Sequence, residues 1–388
     1  MSYFRLAWTT ILGMMFAAPS ANAQPKGEVV VNAEKMDGIN SISLSADGKF
    51  AITGTPESVA ILWDTTKGCR WRTLTGHDGA VVAVSFGANG KQAITGSYDK
   101  TAILWDVNTG EKLRSLSGHT DGVLSVQLSD DGKQAVTASM DKTATLWEAH
   151  TGKKLRTFSG HTSGVLSAAI SKNGKRLLTG SYDTTAILWD TETGEMLRTF
   201  KGHSEYVESV SLSDDGKRAL TGSDDRTAIL WDTETGKKVR TFSGDSGWVM
   251  CVNLSGDGKR ALTAMFAKTA IMWDADTGKK IRTFAGHSDS VLSVVLSRDR
   301  RHTWTASGDG TTRIWNAMTG QELCRLISLD AGKEWLVVSP DGFFDGSPNA
   351  DKFITGRIVG TPEVLPLENY RKQFERPGLL GNLMKSKN

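Results

Sequence analysis

Tryptophan recurs at a constant spacing of 42 residues through most of this 388-residue chain, and each copy is followed by Asp, Glu or Asn. The seven positions are Trp63, Trp105, Trp147, Trp189, Trp231, Trp273 and Trp315. A strict period of this length is typical of chains built from repeated structural units, and it determines the architecture before any local propensity is considered. We therefore interpret most of the chain as seven copies of one unit.

Each unit contains four short segments with the character of β-strands. Those around Trp105 are 81–86 (VVAVSF), 92–97 (QAITGS), 101–106 (TAILWD) and 112–117 (KLRSLS). In the first segment of the next unit, large Leu124 and Val126 alternate with small Ser125, which suits interdigitation with a neighbouring sheet. One such sheet cannot bury both of its faces alone, so the units must stack and close into a ring. The sequence predicts an all-β fold.

Five units also carry a Gly-His dipeptide ahead of their first segment. These are Gly76-His77, Gly118-His119, Gly160-His161, Gly202-His203 and Gly286-His287. Together with the Trp-Asp ends, they make the chain resemble the WD-repeat family over about residues 27–330. The resemblance implies a β-propeller of four-stranded blades.

The same resemblance implies a hydrogen-bonded tetrad of His, Thr, Asp and Trp in each of five blades. The sets are His77/Thr95/Asp99/Trp105, His119/Thr137/Asp141/Trp147, His161/Thr179/Asp183/Trp189, His203/Thr221/Asp225/Trp231 and His287/Thr305/Asp309/Trp315. A catalytic triad would need such groups to converge on one reacting atom, and copies in separate blades do not converge. One His and one Asp are also too few ligands for a zinc site. We interpret the tetrads as structural and predict no catalytic residue, no metal and no cofactor.

The segment after the seventh repeat is in phase with the repeats but loses their signature. Ser339-Pro340-Asp341-Gly342 stands where other repeats carry a Ser-Asp-Asp-Gly turn, whereas the Trp position falls on Arg357. At the other end, 27–33 (GEVVVNA) matches an outer strand and could complete the blade that 335–347 begins. Trp335 argues against a regular copy, because the other repeats carry Ser or Cys in its column. We favour a degenerate eighth blade, closed by the N-terminal strand, over a ring of seven.

The C-terminal part carries a second resemblance. The stretches WLVVSPDGFFDGS (335–347) and YRKQFERPGLL (370–380) resemble the segment that follows the WD repeats in a group of bacterial proteins, some of which continue into a caspase-like protease. No Cys follows Cys324, and the sequence given ends at Asn388, so we expect a propeller-only member. From about Pro366 the spacing predicts a short amphipathic helix.

The N-terminus has the features of a secretory signal peptide. Arg5 precedes the apolar run LAWTTILGMMFAA, and Ala21 and Ala23 fit a cleavage site before Gln24. The run is shorter than the roughly 20 residues that span a bilayer, so we expect a periplasmic or secreted protein with no membrane span after cleavage. The net charge of +3 gives no electrostatic reason to expect nucleic acid as a partner. The predicted parts are a signal peptide at 1–23, a propeller at 24–358 and a tail with a short helix at 359–388.

Three cysteines, Cys69, Cys251 and Cys324, allow at most one disulfide. Cys251 lies in an apolar, strand-like run and is interpreted as a small buried residue. Cys69 and Cys324 can pair only if folding brings the two ends of the chain together.

Two repeats lack the tetrad. The first has Lys35 and Glu57 where His and Asp are expected, as terminal repeats often do, and the sixth has Asp245 and Ala267. The sixth repeat is internal, so its departure marks a sector of the ring that can differ in function.

Large apolar side chains cluster in the sequence around that sector. Trp248 precedes the first strand of the sixth repeat, Tyr206 occupies its position in the fifth, and Met265 and Phe266 follow the second strand. Rigid rings and Met are enriched in protein-binding hot spots. They can equally fill space that the missing tetrad leaves. We predict that Tyr206, Trp248, Met265 and Phe266 contact a protein or peptide partner.

The function predicted from these observations is an exported, non-enzymatic interaction scaffold. One alternative is a propeller enzyme with substrate or cofactor in its channel, for which the inner strands offer only Glu208, Asn253 and Glu334 as scattered polar groups. Another is an envelope polysaccharide-binding protein, since Tyr206 and Trp248 suit sugar stacking. The outer strands of several repeats also carry an arginine at the same repeat position. We interpret these arginines as protection of exposed sheet edges against pairing with other chains.

Overall fold

The computed structural model describes residues 27–31, 36–88, 90–244, 247–359, 364–365 and 367–385. Within these ranges the chain forms seven blades, each with four antiparallel strands. The first strand of each blade contacts the first strands of both neighbours, and blade 7 contacts blade 1. The first strands therefore surround a central channel. The predicted signal peptide lies outside the described residues.

The strands of each blade run from the channel outwards. Blade 1 consists of β2 (Ser41–Leu44), β3 (Phe50–Gly54), β4 (Val59–Asp64) and β5 (Cys69–Thr75). Blade 2 consists of β6 (Val81–Phe86), β7 (Gln92–Ser97), β8 (Thr101–Asp106) and β9 (Lys112–Ser117). Blade 3 consists of β10 (Val123–Leu128), β11 (Gln134–Ser139), β12 (Thr143–Glu148) and β13 (Lys153–Ser159). Blade 4 consists of β14 (Val165–Ile170), β15 (Arg176–Ser181), β16 (Ala186–Asp190) and β17 (Met196–Phe200).

The remaining blades follow the same order. Blade 5 consists of β18 (Val207–Leu212), β19 (Arg218–Ser223), β20 (Thr227–Asp232) and β21 (Lys238–Ser243). Blade 6 consists of β22 (Val249–Leu254), β23 (Arg260–Met265), β24 (Thr269–Asp274) and β25 (Lys280–Ala285). Blade 7 consists of β26 (Val291–Leu296), β27 (His302–Ser307), β28 (Thr311–Asn316) and β29 (Glu322–Leu329).

The turn between the first and second strands shows why its motif recurs. In blade 3 the Ser129 hydroxyl donates to the Asp131 carboxylate at 2.7 Å and accepts from the N–H of Gln134 at 3.0 Å. Gly132 has φ of +69°, which glycine adopts without strain. These side chains hold the reversal, so each repeat forms its first hairpin from local residues alone.

Side-chain oxygens of the inner strands tie each blade to the next, as a serine hydroxyl at most junctions and as the Asn253 amide oxygen between blades 6 and 7. Ser125 accepts from the N–H of Ala168 at 3.2 Å, and Ser209 accepts from that of Val252 at 3.0 Å. In the same way, Ser293 of blade 7 accepts from the N–H of Ile42 in blade 1, at 3.3 Å. The bond that joins successive blades therefore also closes the ring.

The outer-strand arginines make a second set of ties between blades. Each guanidinium donates to a backbone carbonyl in the turn between the third and fourth strands of the next blade, 36 residues further along the chain. The pairs are Arg72–Asn108, Arg114–His150, Arg156–Glu192, Arg198–Glu234, Arg240–Asp276 and Arg282–Met318. Beyond any protection of sheet edges, these side chains thus bridge neighbouring blades.

The prediction of eight blades is wrong. After β29 the chain turns back, so that β30 (Glu334–Val338) pairs with β29 and β31 (Phe344–Gly346) pairs with β30. The sheet of blade 7 gains two outer strands instead of a new blade. The cause lies in the turn, where Asp330 and Ala331 both adopt positive φ, of 54° and 53°. Because of this reversal, β30 runs antiparallel to β29 in the sheet of blade 7.

The N-terminal strand does not enter a blade. β1 (Gly27–Val31) pairs with β32 (Ile354–Ile358), and β32 pairs with β33 (Val364–Leu365), in a separate three-stranded sheet. The two ends of the chain do meet, as their complementary patterns suggested. The prediction that β1 closes the ring is not confirmed.

A buried aspartate strengthens the seam between blades 7 and 1. The Asp37 carboxylate accepts from the N–H groups of Ala331 and Gly332, both at 2.8 Å, and from the Ser328 hydroxyl. The Gly332 carbonyl in turn accepts from Thr73 of β5 at 2.9 Å. The turn between β29 and β30 is thus held against blade 1 on both sides.

Two short helices complete the fold. In α1 (Leu367–Phe374), where the sequence predicts a helix, the rings of Tyr370 and Phe374 stack with centroids 4.6 Å apart and are buried. The second helix, α2 (Leu379–Lys385), has no counterpart in the sequence-based prediction. Its Leu380 belongs to the apolar cluster that includes Trp63 of blade 1 and Trp304 of blade 7. The tail therefore covers the seam.

The three cysteines are free thiols. Cys324 lies in the seam cluster, and burial raises the pKa of its thiol. Cys251 stands at the strand position where blades 3, 5 and 7 carry Ser125, Ser209 and Ser293. Its Sγ lies 3.9 Å from the carbonyl oxygen of Val294 in the next blade. The disulfide between Cys69 and Cys324 that the sequence left open is not formed.

Candidate functional site

The predicted tetrads lie on one face of the ring, between the loop before each first strand and the turn that joins the second and third strands. We call it the tetrad face. In blade 4, His161 Nδ1 lies 2.8 Å from Asp183, and Nε2 lies 2.8 Å from the Thr179 hydroxyl. That hydroxyl accepts from Trp189 Nε1 at 2.9 Å. Blades 2, 3, 5 and 7 repeat the set, with distances of 2.6 to 2.9 Å between His Nδ1 and Asp.

A buried threonine stands at the centre of the set in these four blades as well. The residues at the position of Thr179 are Thr95, Thr137, Thr221 and Thr305. Each hydroxyl lies 2.7 Å from Nε2 of the histidine in its own blade. Each also accepts from the indole N–H of the tryptophan, at 2.8 to 2.9 Å. Thr95, Thr137, Thr221 and Thr305 are all 0% exposed, so these hydroxyls are inaccessible to a partner or substrate and bond only within their blades.

The protonation states in blade 4 leave no group free for chemistry. Burial lowers the pKa of His161 against the opposing effect of Asp183, so the ring is neutral near pH 7. Its Nδ1–H donates to the carboxylate, and Nε2 accepts from Thr179. Burial of Asp183 is outweighed by hydrogen bonds from Thr185 and the N–H of Thr162, which lower its pKa. Every polar atom of the set has a partner, as a structural cluster requires.

Blades 1 and 6 keep only part of the set. In blade 6, Trp273 still donates to Thr263, at 3.1 Å, while Ala267 offers no carboxylate. Glu57 of blade 1 is exposed. Lys35 and Asp245 lie outside the described residues.

Three of the four predicted contact residues are exposed on the tetrad face. Tyr206 is 43% exposed, Trp248 46% and Phe266 49%. Trp248 and Phe266 contact each other, with ring centroids 5.1 Å apart. Tyr206 instead packs edge-on against Tyr182 at 4.6 Å. The sequence reasoning missed Tyr182, although it occupies the same turn position in blade 4 as Phe266 does in blade 6.

Met265 is a correction. It ends β23 opposite Val249 and is only 1% exposed, within the apolar core between blades 5 and 6. Side chains alternate along a strand, and this register turns Met265 inwards. The next residue, Phe266, lies in the turn and projects to solvent. Met265 therefore cannot contact a partner.

A cleft of about 440 Å³ opens between Tyr206 and Trp248. The other described residues that line it are Glu205, Asp224, Asp225 and Arg226. One carboxylate oxygen of Asp224 is buried and has no hydrogen-bond partner among the described residues. Burial, with the nearby Glu205 and Asp225 carboxylates, raises the pKa of Asp224. A desolvated carboxylate thus lies between two exposed rings.

A second unusual carboxylate lies beside this cleft. Burial and the charge of Asp224 raise the pKa of Glu208 to about 7. From sequence, Glu208 was noted only as a scattered polar residue of the inner strands. The raised pKa of Glu208 depends in part on Asp224, a residue that was not identified from the sequence.

A comparison with protein-family models finds the WD domain, G-beta repeat, at six consecutive stretches. They are residues 68–106, 110–148, 152–190, 194–232, 236–274 and 278–316. These matches cover more than half of the chain, and the fold has the expected blades. The chain belongs to the WD-repeat family. A search of curated proteins finds no match.

Blade 1 of this WD-repeat protein is built from a repeat whose first three strands precede the matched stretches. Its Trp63 donates to Thr53 at 3.2 Å, as the corresponding tryptophans do in the other blades. The loss of the His and Asp positions is thus compatible with the same blade structure.

The channel mouth opposite the tetrad face is spanned by charged pairs. It holds a cavity of about 550 Å³. Asp130 pairs with Arg298 at 3.1 Å and with Lys172 at 3.6 Å, and Lys172 also reaches Asp214 at 3.5 Å. Blades 3, 4, 5 and 7 are joined by these ions. Within the described ranges, no group of three or more His, Cys, Asp or Glu side chains is arranged to hold a metal ion.

No helix within the described ranges has the length and apolar character needed to cross a lipid bilayer.

Removing a tetrad side chain is expected to cause a measurable loss of stability in this WD-repeat protein. Asp183→Ala removes the acceptor of His161 Nδ1 and of the N–H of Thr162. Leaving the buried His161 N–H unpaired is expected to lower the free energy of unfolding by about 2 kcal/mol. Denaturant titration of the purified protein measures it. Glu195→Ala, which replaces an exposed acid of the same blade, is the matched control and should lose less than about 1 kcal/mol.

Proposed function

We propose that this WD-repeat protein is an exported, non-enzymatic scaffold that binds a protein or peptide partner on its tetrad face. The observation that carries the proposal is the group of exposed rings, Tyr206, Trp248 and Phe266, which borders a cleft on a rigid ring. Large rings on a fixed backbone lose little conformational entropy on binding and desolvate well. The blade-to-blade bonds supply the rigidity.

Export is part of the proposal. Its support is the N-terminal pattern of Arg5, an apolar run and the small residues Ala21 and Ala23. We expect cleavage after Ala23 and a periplasmic or secreted mature chain. N-terminal sequencing of protein recovered from the periplasm tests this directly, and a mature chain that begins at Met1 would contradict it.

Partner binding is tested by capture from periplasmic extract with the mature protein as bait. The triple variant Tyr206→Ala, Trp248→Ala, Phe266→Ala is expected to lose at least about nine-tenths of the specifically captured partner, since hot-spot rings each contribute about tenfold or more. Tyr98→Ala is the matched control, because Tyr98 is 58% exposed on the same face in blade 2. The proposal fails if both variants, folded by circular dichroism, capture the same proteins as the wild type.

A further inference from the structure

Blade 5 departs from the repeat at two positions, and both departures introduce a carboxylate. Where Asp224 stands, the corresponding turn residues of blades 2, 3, 4, 6 and 7 are Tyr98, Met140, Tyr182, Phe266 and Gly308. Where Glu208 stands, the corresponding residues are Val82, Leu124, Leu166, Met250 and Leu292. Each acid replaces a residue that is uncharged in every one of these blades.

The fold brings the two departures together. Val207 pairs with Ser223, and Glu208 forms the bulge that follows, so Glu208 lies beside the end of β19 where Asp224 begins the turn. The N–H of Asp224 donates to the carbonyl of Tyr206 at 3.1 Å, which places Asp224 beside Tyr206, and Tyr206 directly precedes the strand that carries Glu208. The same corner thus holds two acids and an exposed aromatic side chain.

Neither carboxylate has a hydrogen-bond or ion-pair partner within the part of the chain that the structure describes. The neighbouring Asp225 differs, because its oxygens accept from His203 at 2.8 Å and from the Thr227 hydroxyl at 2.6 Å. A desolvated carboxylate without a donor is unfavourable, so this pair calls for a cation.

The walls of the cleft suit such a cation. Trp248 and Tyr206 present exposed rings on either side, and aromatic faces attract ammonium and guanidinium groups, tryptophan most strongly. Glu205 on the rim adds negative charge, and among the described residues Arg226 is the one basic side chain that lines the cleft. Three acids line the cleft, Glu205, Asp224 and Asp225, and together with Glu208 beside Asp224 they outweigh that single positive charge.

We propose that the cleft between Tyr206 and Trp248 receives an arginine or lysine side chain of the bound partner, with Asp224 and Glu208 as its counter-charges. This inference rests on the proposed scaffold function and specifies the chemistry of its partner. A neutral apolar side chain would leave both carboxylates desolvated, and an acidic one would be repelled. Only a basic side chain can interact with the aromatic faces and also neutralise the carboxylates.

Selection from a random nonapeptide library displayed on phage tests the proposal at low salt and at about pH 8, where Glu208 is ionised. The wild-type protein is expected to enrich peptides with Arg or Lys at one fixed position. The best peptide is then synthesised with that residue replaced by norleucine. We expect its affinity to fall about tenfold or more, as it should for Asp224→Asn combined with Glu208→Gln.

The outcomes separate this inference from the scaffold function. An enriched motif without a basic residue, whose binding is lost in Trp248→Ala, would keep the scaffold function and overturn the inference. Failure to enrich any motif relative to Tyr206→Ala, Trp248→Ala would count against both. Equal binding of the Arg and norleucine peptides, or unchanged binding by the Asp224→Asn, Glu208→Gln variant, would also overturn the inference. Asp78→Asn, an exposed acid of blade 2, should leave affinity unchanged.

Discussion

Asp37→Ala is expected to lower the free energy of unfolding by about 3 kcal/mol or more, the largest loss among the substitutions proposed here. Three donors lose their acceptor at once: the N–H groups of Ala331 and Gly332 and the hydroxyl of Ser328. Asp37 is 4% exposed, so water cannot replace the carboxylate easily. The loss falls on the seam, where the ring has no shared strand between its first and last blades.

Chemical denaturation of the mature protein measures the effect. Asp47→Ala is the matched control, because Asp47 accepts similar bonds from Ser45 and the N–H of Lys49 in an exposed turn. That variant should lose less than about 1 kcal/mol. Equal losses for the two variants would mean that the turn between β29 and β30 does not support the seam.

The parts of the fold that repeat could be predicted from sequence. The tetrad motif occurs once in each of five repeats at the same repeat positions. The strand and turn positions assigned in one repeat therefore apply to the others. The roles of His161 and Asp183 follow from that alignment, and their bonds in the structure have the partners that the family pattern implies.

The parts that occur once could not be predicted in the same way. The reversal depends on three consecutive residues in left-handed conformation, Asp330, Ala331 and Gly332, which no periodic comparison reveals. Asp37 meets Ala331 across a separation of 294 residues in the sequence, and only the closed ring brings them together. The eighth blade was predicted because phase alone cannot tell an added strand from an added blade.

Repetition also hid some interactions between blades. The alternation of small and large residues identified Ser125 as a packing position, but not as the acceptor of the Ala168 N–H in the next blade. The cleft was missed for a related reason. Asp224 and Glu208 are each unremarkable in sequence, and the strand register is needed to place them side by side.

Glu208→Leu is expected to stabilise the protein by about 3 kcal/mol at about pH 8. The pKa of Glu208 is raised from 4.5 to about 7 by burial and by Asp224. Because the folded state holds this proton more tightly than the unfolded state, ionisation of Glu208 destabilises the fold. The penalty is full above about pH 7 and fades as the pH falls towards about 4.5. Leucine is the residue of this column in blades 3, 4 and 7, so it fits the site without charge.

Denaturant titrations of wild type and variant between about pH 5 and 8 measure this difference, and the gain should shrink to under about 1 kcal/mol at the acid end. Glu205→Leu, an exposed acid of the same blade, should change stability by less than about 0.5 kcal/mol throughout. A gain in Glu208→Leu that did not vary with pH would come from packing and would contradict the assigned charge effect. If the gain varies as expected and the same variant loses binding of basic peptides, the destabilising carboxylate is retained for recognition, because a bound cation supplies the partner that the folded chain lacks.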